Sequence, residues 1–419
     1  MKKLQFPKNF LWGTATSAHQ VEGGNKNNDW WEFEWQGKVK NGEISGNACD
    51  HYNHFEEDFS LVKKFNQNAH RVSLEWSRIE PEINHWNFEE IKHYQEVLGS
   101  LKKKKIKVVA TLWHFTNPLW LSKIGGWENK ETIQRFEKYT QCVIKYLGEY
   151  IDFWVTLNEP TIYAQQAYIK GYWPPQKKSL LKGIKVVRNM IEAHRKAYEI
   201  ISQSIPKAKI GLATNNTYYL PADPKSFLDK ILIKISRYFV NFYFLDQIKN
   251  YQNFIGLNYY FIRKVNLQSI VKKQDYFLWR DKSLKKSDLG WLIYPEGIYK
   301  ILLELKKYKL PIYITENGLA DEKDKLRAEF ILEHLKYVLK AIKEEVNVRG
   351  YFHWSLLDNF EWREGFSPRF GLIEVDYKTF KRTPRKSAYL YSEICKQNGI
   401  SERIVKKYVP ELSKTMFKT

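Results

Sequence analysis

The stretch PIYITEN at residues 311–317 is a β-branched and aromatic run that ends in a carboxylate, Glu316, and an amide. A second run of the same design, DFWVTLN at 152–158, ends in an amide and continues directly into Glu159. Runs of this composition and length predict β-strands. Polar groups at the ends of two such strands predict a shared edge at which functional side chains collect.

Six further runs of the same kind extend the pattern in both directions along the chain. They are FLWGTAT near 10–16, HRVSLEW at 70–76, KVVATLWHF at 107–115, KIGLATN at 209–215, FIGLNYY at 254–260 and VRGYFHWSL at 348–356. Longer helix-like segments separate the runs, and an alternation of strands and helices predicts a parallel sheet. Because the unit recurs eight times and no linker divides the chain, we expect an α/β fold that is a single-domain (β/α)8 TIM barrel.

The composition limits the class of protein without choosing one. The chain has 419 residues, of which 16% are aromatic. Aromatic rings stack on sugars, but they also fill large cores, and composition alone favours the core. The net charge of +21 is compatible with nucleic acid, an anionic membrane or acidic substrates. No nucleic-acid-binding module is recognisable, so a lysine-rich solvated surface is the favoured interpretation.

The cysteines and the N-terminus indicate a reducing compartment. Cys49, Cys142 and Cys395 are widely spaced, and no Cys or His pair has the spacing of metal ligands. Free thiols and a cytoplasmic location are therefore expected. The N-terminal MKKLQFPKNFLWG lacks the apolar segment of about 7–15 residues that a signal peptide requires. No apolar run reaches about 18 residues, so no membrane-spanning helix is expected.

Glu159 and Glu316 are the candidate catalytic residues. Each follows a strand-like run and has an Asn beside it, and the fourth and seventh strands of an eight-stranded ring are expected to face each other. Two opposed carboxyl groups are suited to cleavage of a glycosidic bond. A separation of about 5 Å favours retention of configuration, and one of roughly 6.5–9.5 Å favours inversion. A single Glu at a strand end is more often an ion-pair residue, but the pair favours catalysis.

Several motifs resemble glycoside hydrolase family 1, the β-glucosidase and β-galactosidase family. FLWGTATSAHQVEGG resembles the opening signature of that family, and TLNEP and ITENG resemble its acid/base and nucleophile motifs. HWSLLDNFEW at 353–362 resembles the glycone-binding segment, and GWLIYPEGIY at 290–299 is also typical. The resemblance reaches to about residue 399, which implies a barrel domain over 1–399 and a basic C-terminal tail of unknown role over 400–419.

The resemblance implies a role for each matching residue. Glu159 would be the general acid/base of a retaining β-glycosidase and Glu316 its nucleophile, with Arg71 and Tyr260 as flanking residues. Trp354 would form the floor under the sugar ring. The residues implied to hold the innermost sugar are Gln20, His114, Asn158, Glu361 and Trp362. No cofactor and no metal are implied, and the expected partner is a small β-glycoside or an oligosaccharide.

The chemistry of glycoside cleavage explains why these partners are needed. Arg71 and Tyr260 donate hydrogen bonds that favour the ionised form of Glu316. The charge of Glu316 disfavours ionisation of Glu159, which then keeps a proton for the leaving group. Once the glycosyl-enzyme forms, that charge is gone and Glu159 can act as a base toward water. Outside this context Arg71 would be interpreted as part of a core ion pair, and His114 as a buried histidine.

Departures from the family pattern bear on the substrate. Members that act on 6-phosphorylated sugars carry a serine in place of Glu361 and a Lys and a Tyr downstream, where this chain has Pro368 and Phe370. A non-phosphorylated sugar is therefore favoured over a 6-phospho-β-glycoside. Phe115 and Thr161 replace residues that are aromatic in many relatives, which leaves the aglycone preference open.

The segment SFLDKILIKISRYFVNFYFLDQIK at 226–249 is both apolar and basic. The favoured interpretation is an outer-ring helix that packs on the barrel. The alternative is a helix that lies on an anionic membrane surface. Neither interpretation involves insertion of the chain across a membrane.

Three hypotheses for the function follow. The first is a retaining exo-β-glycosidase that acts on terminal β-D-glucosyl, galactosyl or fucosyl residues. The second is a transglycosylase that uses the same site with an acceptor other than water. The third is an inactive carbohydrate-binding relative, which the presence of every expected catalytic residue disfavours.

Overall fold

The computed structural model describes residues 2–266 and 283–417, and these residues contain a closed barrel of eight parallel strands. The barrel strands are β1 (Leu11–Ala15), β2 (Ala69–Ser73), β3 (Lys107–Trp113), β4 (Phe153–Asn158), β5 (Lys209–Asn215), β6 (Phe254–Asn258), β7 (Ile312–Asn317) and β8 (Val348–Trp354). Each strand pairs with the next in chain order, and β8 closes the ring by pairing with β1. The predicted single-domain (β/α)8 TIM barrel is confirmed.

A helix follows each barrel strand in the described part of the chain. These helices are α1 (His51–Lys64), α2 (Phe88–Lys103), α3 (Glu131–Leu147), α4 (Leu180–Ser204), α5 (Phe227–Arg237), α6 (Pro295–Leu305), α7 (Arg327–Lys343) and α8 (Lys386–Gln397). Side chains cap several of them, as where Asn87 accepts from the first backbone N–H groups of α2 and Ser179 from those of α4. Apolar residues recur every three to four positions in most of these helices, and together they form the face that packs on the strands.

Shorter elements complete the described structure. The short α-helices are Ala18–Val21, Asp29–Trp35, Trp76–Ile79, Leu119–Lys123, Pro160–Tyr163, Tyr243–Gln247 and Glu402–Tyr408, and the π-helical turns are Ala164–Ile169 and Tyr238–Phe242. The two-stranded sheets pair Lys3–Gln5 with Gly399–Ser401, Tyr218–Pro221 with Ile262–Val265, and Ile373–Val375 with Arg382–Pro384. The last of the helices, Glu402–Tyr408, buries Ile404 and Val405, so the C-terminal tail packs against the body of the protein.

Apolar side chains fill the amino-terminal half of the barrel interior. The cluster consists of Ala69, Val109, Phe153, Val155, Ala213, Phe254 and Phe352, with Leu11 and Tyr313 packed against it. The rings of Phe153 and Phe254 lie 5.9 Å apart, edge to face. Because this half is a packed core, a polar site inside the barrel can lie only toward the carboxyl ends of the strands.

The strands that carry the two candidate carboxylates are not diametrically opposite. On one side of the ring β5 and β6 lie between β4 and β7, and on the other side four strands do. The expectation that the fourth and seventh strands face each other is therefore wrong in its strict form. The arc between them is short enough for residues of β5 and β6 to contact both carboxylate-bearing strands.

The segment 226–249 folds into two parts that differ in burial. The helix Tyr243–Gln247 buries Phe244 and Leu245, as predicted for the outer ring. Within α5, by contrast, Asp229 is the one fully buried side chain. Leu232 and Ile233 are half-buried, and the other four apolar side chains are exposed. The predicted packing on the barrel is wrong for α5, because its apolar stripe points away from the protein.

Two further expectations concern the thiols and the membrane. Cys49, Cys142 and Cys395 are buried free thiols, as predicted. Over residues 2–266 and 283–417, no helix combines the length and the apolar character needed to cross a bilayer.

Candidate active site

A cavity of about 140 Å³ opens at the carboxyl ends of the barrel strands. The residues predicted from the sequence that line it are Gln20, His114, Asn158, Glu159, Tyr260, Glu316, Trp354, Glu361 and Trp362. Arg71 lies beside them, buried and bonded to Glu316.

A larger cavity of about 600 Å³ shares no lining residue with this one. Its walls include Asp29, Glu128, Lys182 and Lys185. Size alone would favour it as the site. Burial raises the pKa of Asp29 to about 7, and it is the one perturbed carboxylate among the lining residues of the larger cavity. Chemistry favours the smaller cavity, because three carboxylates converge there and a functional site is marked by converging polar groups rather than by volume.

Glu316 is held by two donors from different strands. Arg71, on β2, donates from Nη1 to Oε1 of Glu316, and Tyr260, just after β6, donates from its hydroxyl to Oε2 at 2.6 Å. Both partners stabilise a negative charge on this carboxylate. Gly318 follows two residues later, where a Cβ atom would overlap the carbonyl oxygen of Trp354. The close approach of β7 to β8 thus requires the glycine of the ITENG motif.

Three neighbours fix the orientation of the Asn158 side-chain amide in the cavity. Its Oδ1 accepts from Arg71 at 2.8 Å and from Asn258 at 3.2 Å, so its Nδ2 must be the atom that donates to His114 Nε2 at 3.1 Å. His114 then carries its proton on Nδ1, which is buried without a hydrogen-bond partner among the described residues. Burial, reinforced by the nearby Arg71, lowers the pKa of His114 well below its usual value, so the ring is neutral.

Glu159 has a different environment from Glu316. It follows β4 with a left-handed backbone, φ 45°, which lets the short helix begin directly at Pro160. Its Oε1 accepts from Asn258 at 2.7 Å and from Asn215 at 2.9 Å. Burial first, and the charge of Glu316 second, raise its pKa to about 8. Glu159 is therefore a protonated acid at neutral pH.

Glu361 is a third carboxylate in the cavity. Its pKa is raised to about 8, first by burial and then by Glu316 and Glu159. Gln20 donates to its Oε2 at 3.3 Å and also to Asn359 Oδ1 at 3.0 Å, while Ser17 donates to the Gln20 side-chain oxygen at 2.6 Å. These bonds orient the Gln20 amide toward Glu361, so the two form one polar wall.

Aromatic rings form the remaining walls. The ring of His114 lies nearly parallel to those of Trp354 and Trp362, with centroids 6.1 Å from each. On the other side Trp291 packs against Tyr260 at 5.7 Å. The cavity thus combines flat apolar faces with a ring of hydrogen-bonding groups, which is the combination a sugar requires.

Several lining residues were missed by the sequence interpretation. Asn215 and Asn258 bond Glu159 directly, and Arg263, Trp291 and Trp173 also line the cavity. Asn215 and Asn258 end β5 and β6 at the same position at which Asn158 ends β4. The rule that strand ends converge would have identified both. Asn317, in contrast, bonds the backbone of Tyr259 and supports the strand.

The residues 2–266 and 283–417 contain no group of three His, Cys, Asp or Glu side chains arranged to hold a metal ion. The chemistry available to the described cavity is that of carboxylates, the guanidinium groups of Arg71 and Arg263, amides and rings. Two buried carboxylates with different partners at the mouth of a (β/α)8 barrel define the class of glycoside hydrolases.

Comparison with known proteins defines the family. Residues 2–249 and 244–400 match Glycosyl hydrolase family 1. The chain is 34% identical to Beta-glucosidase A of Thermotoga maritima, over 96% of this chain and 100% of that protein. It is 32% identical to a Beta-galactosidase of Pyrococcus woesei, over 95% of this chain and 98% of that protein. The structure of a beta-glycosidase from Pyrococcus horikoshii superimposes with a TM-score of 0.90 at 40% identity, covering 98% of this chain and 100% of that chain. The chain therefore belongs to glycoside hydrolase family 1.

Proposed function

We propose that this protein is a retaining exo-β-glycosidase that hydrolyses terminal β-D-glucosyl residues, and also galactosyl and fucosyl residues. The observation that carries the proposal is the asymmetry of the two carboxylates. Glu316 is held by a guanidinium and a phenol, whereas burial and the charge of Glu316 raise the pKa of Glu159 to about 8. One group is thus set as a nucleophile and the other as an acid.

In the first step, the Glu316 carboxylate attacks the anomeric carbon and the glycosidic C–O bond breaks. Glu159 gives its proton to the departing oxygen, so the aglycone leaves as a neutral alcohol. The sugar remains esterified to Glu316, and the negative charge that raised the pKa of Glu159 is gone. Glu159, now ionised, is ready to act as a base.

In the second step, Glu159 takes a proton from water and the resulting hydroxide attacks the anomeric carbon. The ester bond breaks, Glu316 leaves as a carboxylate, and Arg71 and Tyr260 again stabilise its charge. Two inversions at the same carbon give net retention. An acceptor alcohol in place of water would give transfer instead of hydrolysis from the same intermediate.

Recognition of the sugar is assigned to the polar wall and the floor. The unpartnered Nδ1–H of His114, the Gln20–Glu361 pair and Asn158 bind hydroxyl groups, and Trp354 lies under the ring. Glu361, Pro368 and Phe370 stand where relatives that act on 6-phosphorylated sugars carry a serine and a phosphate-binding Lys and Tyr, which supports a non-phosphorylated sugar. Names of relatives include both glucosidase and galactosidase, so both sugars belong in the test.

We assign the activity to the barrel domain of residues 1–399 and assign no role to the basic tail of residues 400–419. We also propose a reducing, cytoplasmic location, which the three buried free thiols support.

The test is release of nitrophenol from aryl β-glycosides by the wild type and by Glu316→Ala, Glu159→Gln and Glu96→Gln. The panel contains the glucoside, galactoside, fucoside, mannoside and glucoside 6-phosphate. We expect Glu159→Gln to lose a factor of about 10²–10⁴ in kcat, and Glu316→Ala to lose more. Glu96 is exposed on the outer helix α2, away from the cavity, and serves as the matched control with unchanged rates.

Azide separates the roles of the two carboxylates. Added to Glu316→Ala, it should enter the vacated space and form an α-glycosyl azide, whereas Glu159→Ala should form the β-glycosyl azide. Full activity of either carboxylate variant would contradict the assignment, and an inverted first product would contradict retention. Activity on the 6-phosphate alone would overturn the proposed sugar, and transfer products without free sugar would indicate a transglycosylase.

A further inference from the structure

The helix α5 exposes a continuous apolar stripe. The α5 stripe consists of four residues of α5 and two of the π-helical turn that continues it: Phe227, Leu228, Ile231, Ile235, Tyr238 and Phe239. Their exposed fractions run from 38% for Ile231 to 73% for Phe227. Spacings of three and four residues place all six on one face of the helix. Single exposed apolar residues are ordinary, but a contiguous patch of six marks an interaction surface.

Basic side chains run along one edge of the α5 stripe. Lys230 and Lys234 are exposed and four residues apart, so they lie one turn from each other on the same flank. Lys225 precedes the helix and is also exposed. Arg237 continues the edge and pairs with Glu304 of α6 at 2.9 Å, which fixes the helix on the protein. The acidic Asp229 lies on the opposite, buried face.

The α5 stripe lies on the same end of the barrel as the catalytic cavity. The helix packs against the sheet formed by Tyr218–Pro221 and Ile262–Val265, which follow the carboxyl ends of β5 and β6. The next turn of the chain accepts a hydrogen bond at Val240 O from the hydroxyl of Thr161, two residues after Glu159. A surface that bound the stripe would therefore lie at the mouth of the barrel.

A second patch of the same kind flanks this end. Leu180, Leu181 and Ile184 of the first turns of α4 are 62%, 80% and 40% exposed. Exposed Lys177 and Lys178 precede them. Because the helix after a barrel strand begins at the carboxyl end of that strand, this patch also lies toward the mouth. Two apolar patches with lysines beside them thus occupy one end of the molecule.

We propose that the α5 stripe docks the protein on an anionic lipid surface, with the mouth of the barrel toward the bilayer. The apolar side chains enter the boundary between headgroups and acyl chains, and Lys225, Lys230 and Lys234 contact lipid phosphates. The charge of +21 adds long-range attraction to such a surface. This docking is independent of the sugar specificity and of the catalytic roles proposed above.

Charge complementarity favours a lipid surface over a second copy of the chain. Two identical stripes would bring their lysine edges together on molecules that each carry +21, and like charges oppose such contact. Nucleic acid would satisfy the lysines but would leave six apolar side chains in water. An anionic bilayer satisfies both halves of the surface at once.

The test is sedimentation with vesicles of phosphatidylcholine alone and of phosphatidylcholine with about one-third phosphatidylserine. We expect the wild-type protein to bind the anionic vesicles at low salt, to leave them at about 0.5 M salt, and to ignore the neutral vesicles. The double variant Lys230→Gln/Lys234→Gln should lose roughly 25-fold in partition, about fivefold for each lysine. The triple variant Phe227→Ser/Leu228→Ser/Phe239→Ser should lose about tenfold for each residue.

Matched controls remove the same residue types elsewhere. Phe88→Ser/Tyr389→Ser deletes two exposed rings, and Lys103→Gln/Lys396→Gln deletes two exposed lysines. Both should bind vesicles like the wild type, and aryl glycoside hydrolysis without lipid verifies that every variant is folded. Absence of wild-type binding at low salt would overturn the proposal, and so would equal losses in the controls. A dimer in sedimentation velocity that the triple serine variant converts to monomer would assign the stripe to a second copy instead.

Discussion

Replacement of Asn258 by alanine is expected to move the alkaline limb of the pH–rate profile to higher pH. Asn258 Nδ2 donates to Glu159 Oε1 at 2.7 Å, and this bond favours the ionised form of Glu159. Burial and the charge of Glu316 raise the pKa of Glu159 to about 8 despite this bond. Removal of the donor should therefore raise the pKa further. Since Glu159 must be protonated to act as an acid, kcat/KM falls as the pH rises through this pKa.

The magnitude follows from the difference between two hydrogen bonds. A bond to a charged group contributes about 1.5–3 kcal/mol, and one between neutral groups about 1 kcal/mol. The ionised form of Glu159 thus loses about 1–2 kcal/mol more than the neutral form, and 1.36 kcal/mol corresponds to about one pKa unit. We expect the limb to move from about 8 to about 9. The maximal rate should fall as well, because Asn258 also donates to Asn158 at 3.2 Å.

The assay is kcat/KM for a nitrophenyl β-glucoside from about pH 5 to about pH 10, which reports groups of the free enzyme. The pKa of Glu361 is also about 8, so Glu361 contributes to the same limb of the profile. Its hydrogen-bond partner is Gln20, so the Asn258 substitution should leave the pKa of Glu361 unchanged. Asn215→Ala should shift the limb in the same direction. Asn189→Ala is the control, because Asn189 bonds the backbone of Trp127. A limb that stays in place or moves to lower pH in Asn258→Ala would refute the reasoning.

Two further predictions concern arginines. Arg71→Lys should reduce kcat/KM by on the order of 10². The reason is that one ammonium group cannot replace a guanidinium that donates to Glu316, Asn158 and Thr111. The measurement is aryl glycoside kinetics on protein whose folded fraction is verified, and a kcat/KM within about threefold of the wild type would contradict the prediction. Arg385→Ala should lower the free energy of unfolding by about 1–3 kcal/mol, because the fully buried Asp358 loses its bidentate partner. Asp358 keeps Arg369 at 3.4 Å and the backbone N–H of Gly371 at 2.9 Å, so its charge is not left uncompensated. Guanidinium chloride unfolding measures this loss. The control is Arg403→Ala, because the Arg403 side chain is 69% exposed and its ion pair contributes little. Equal losses of stability in the two variants would contradict the prediction.

The barrel could be predicted from the sequence because its strands are buried on both faces. Such strands read as continuous apolar runs, and KVVATLW and FWVTLN are buried over nearly their whole length. The end of each strand can also be identified from the sequence, because apolar residues give way to polar ones where the strand reaches the cavity. Glu159 and Glu316 were therefore identifiable from their positions at the ends of runs.

The asparagines that donate hydrogen bonds to Glu159 were harder to predict. The sequence indicates which residues end strands, but it does not indicate how far around the ring two strands lie. Because β5 and β6 fill the short arc between β4 and β7, Asn215 and Asn258 contact Glu159 directly.

The orientation of α5 was not predictable from its pattern. An amphipathic helix has one apolar face, and burial of that face in the protein is the ordinary outcome. Here the buried face carries Asp229, and the apolar face with Phe227 and Ile235 is exposed. The sequence shows that two faces differ, but only the tertiary structure shows which face the protein covers.

The asymmetry of the two carboxylates is a property of the whole ring rather than of either motif. Arg71 of β2 bonds both Glu316 of β7 and Asn158 of β4, and Asn258 of β6 bonds both Asn158 and Glu159. The guanidinium lies with Glu316 because β2 directs it across the barrel, and Glu159 is left with neutral amide donors. Since amides stabilise a carboxylate less than a guanidinium does, burial prevails at Glu159 and keeps it protonated. The placement of the Arg71 guanidinium beside Glu316 thus separates the nucleophile from the acid.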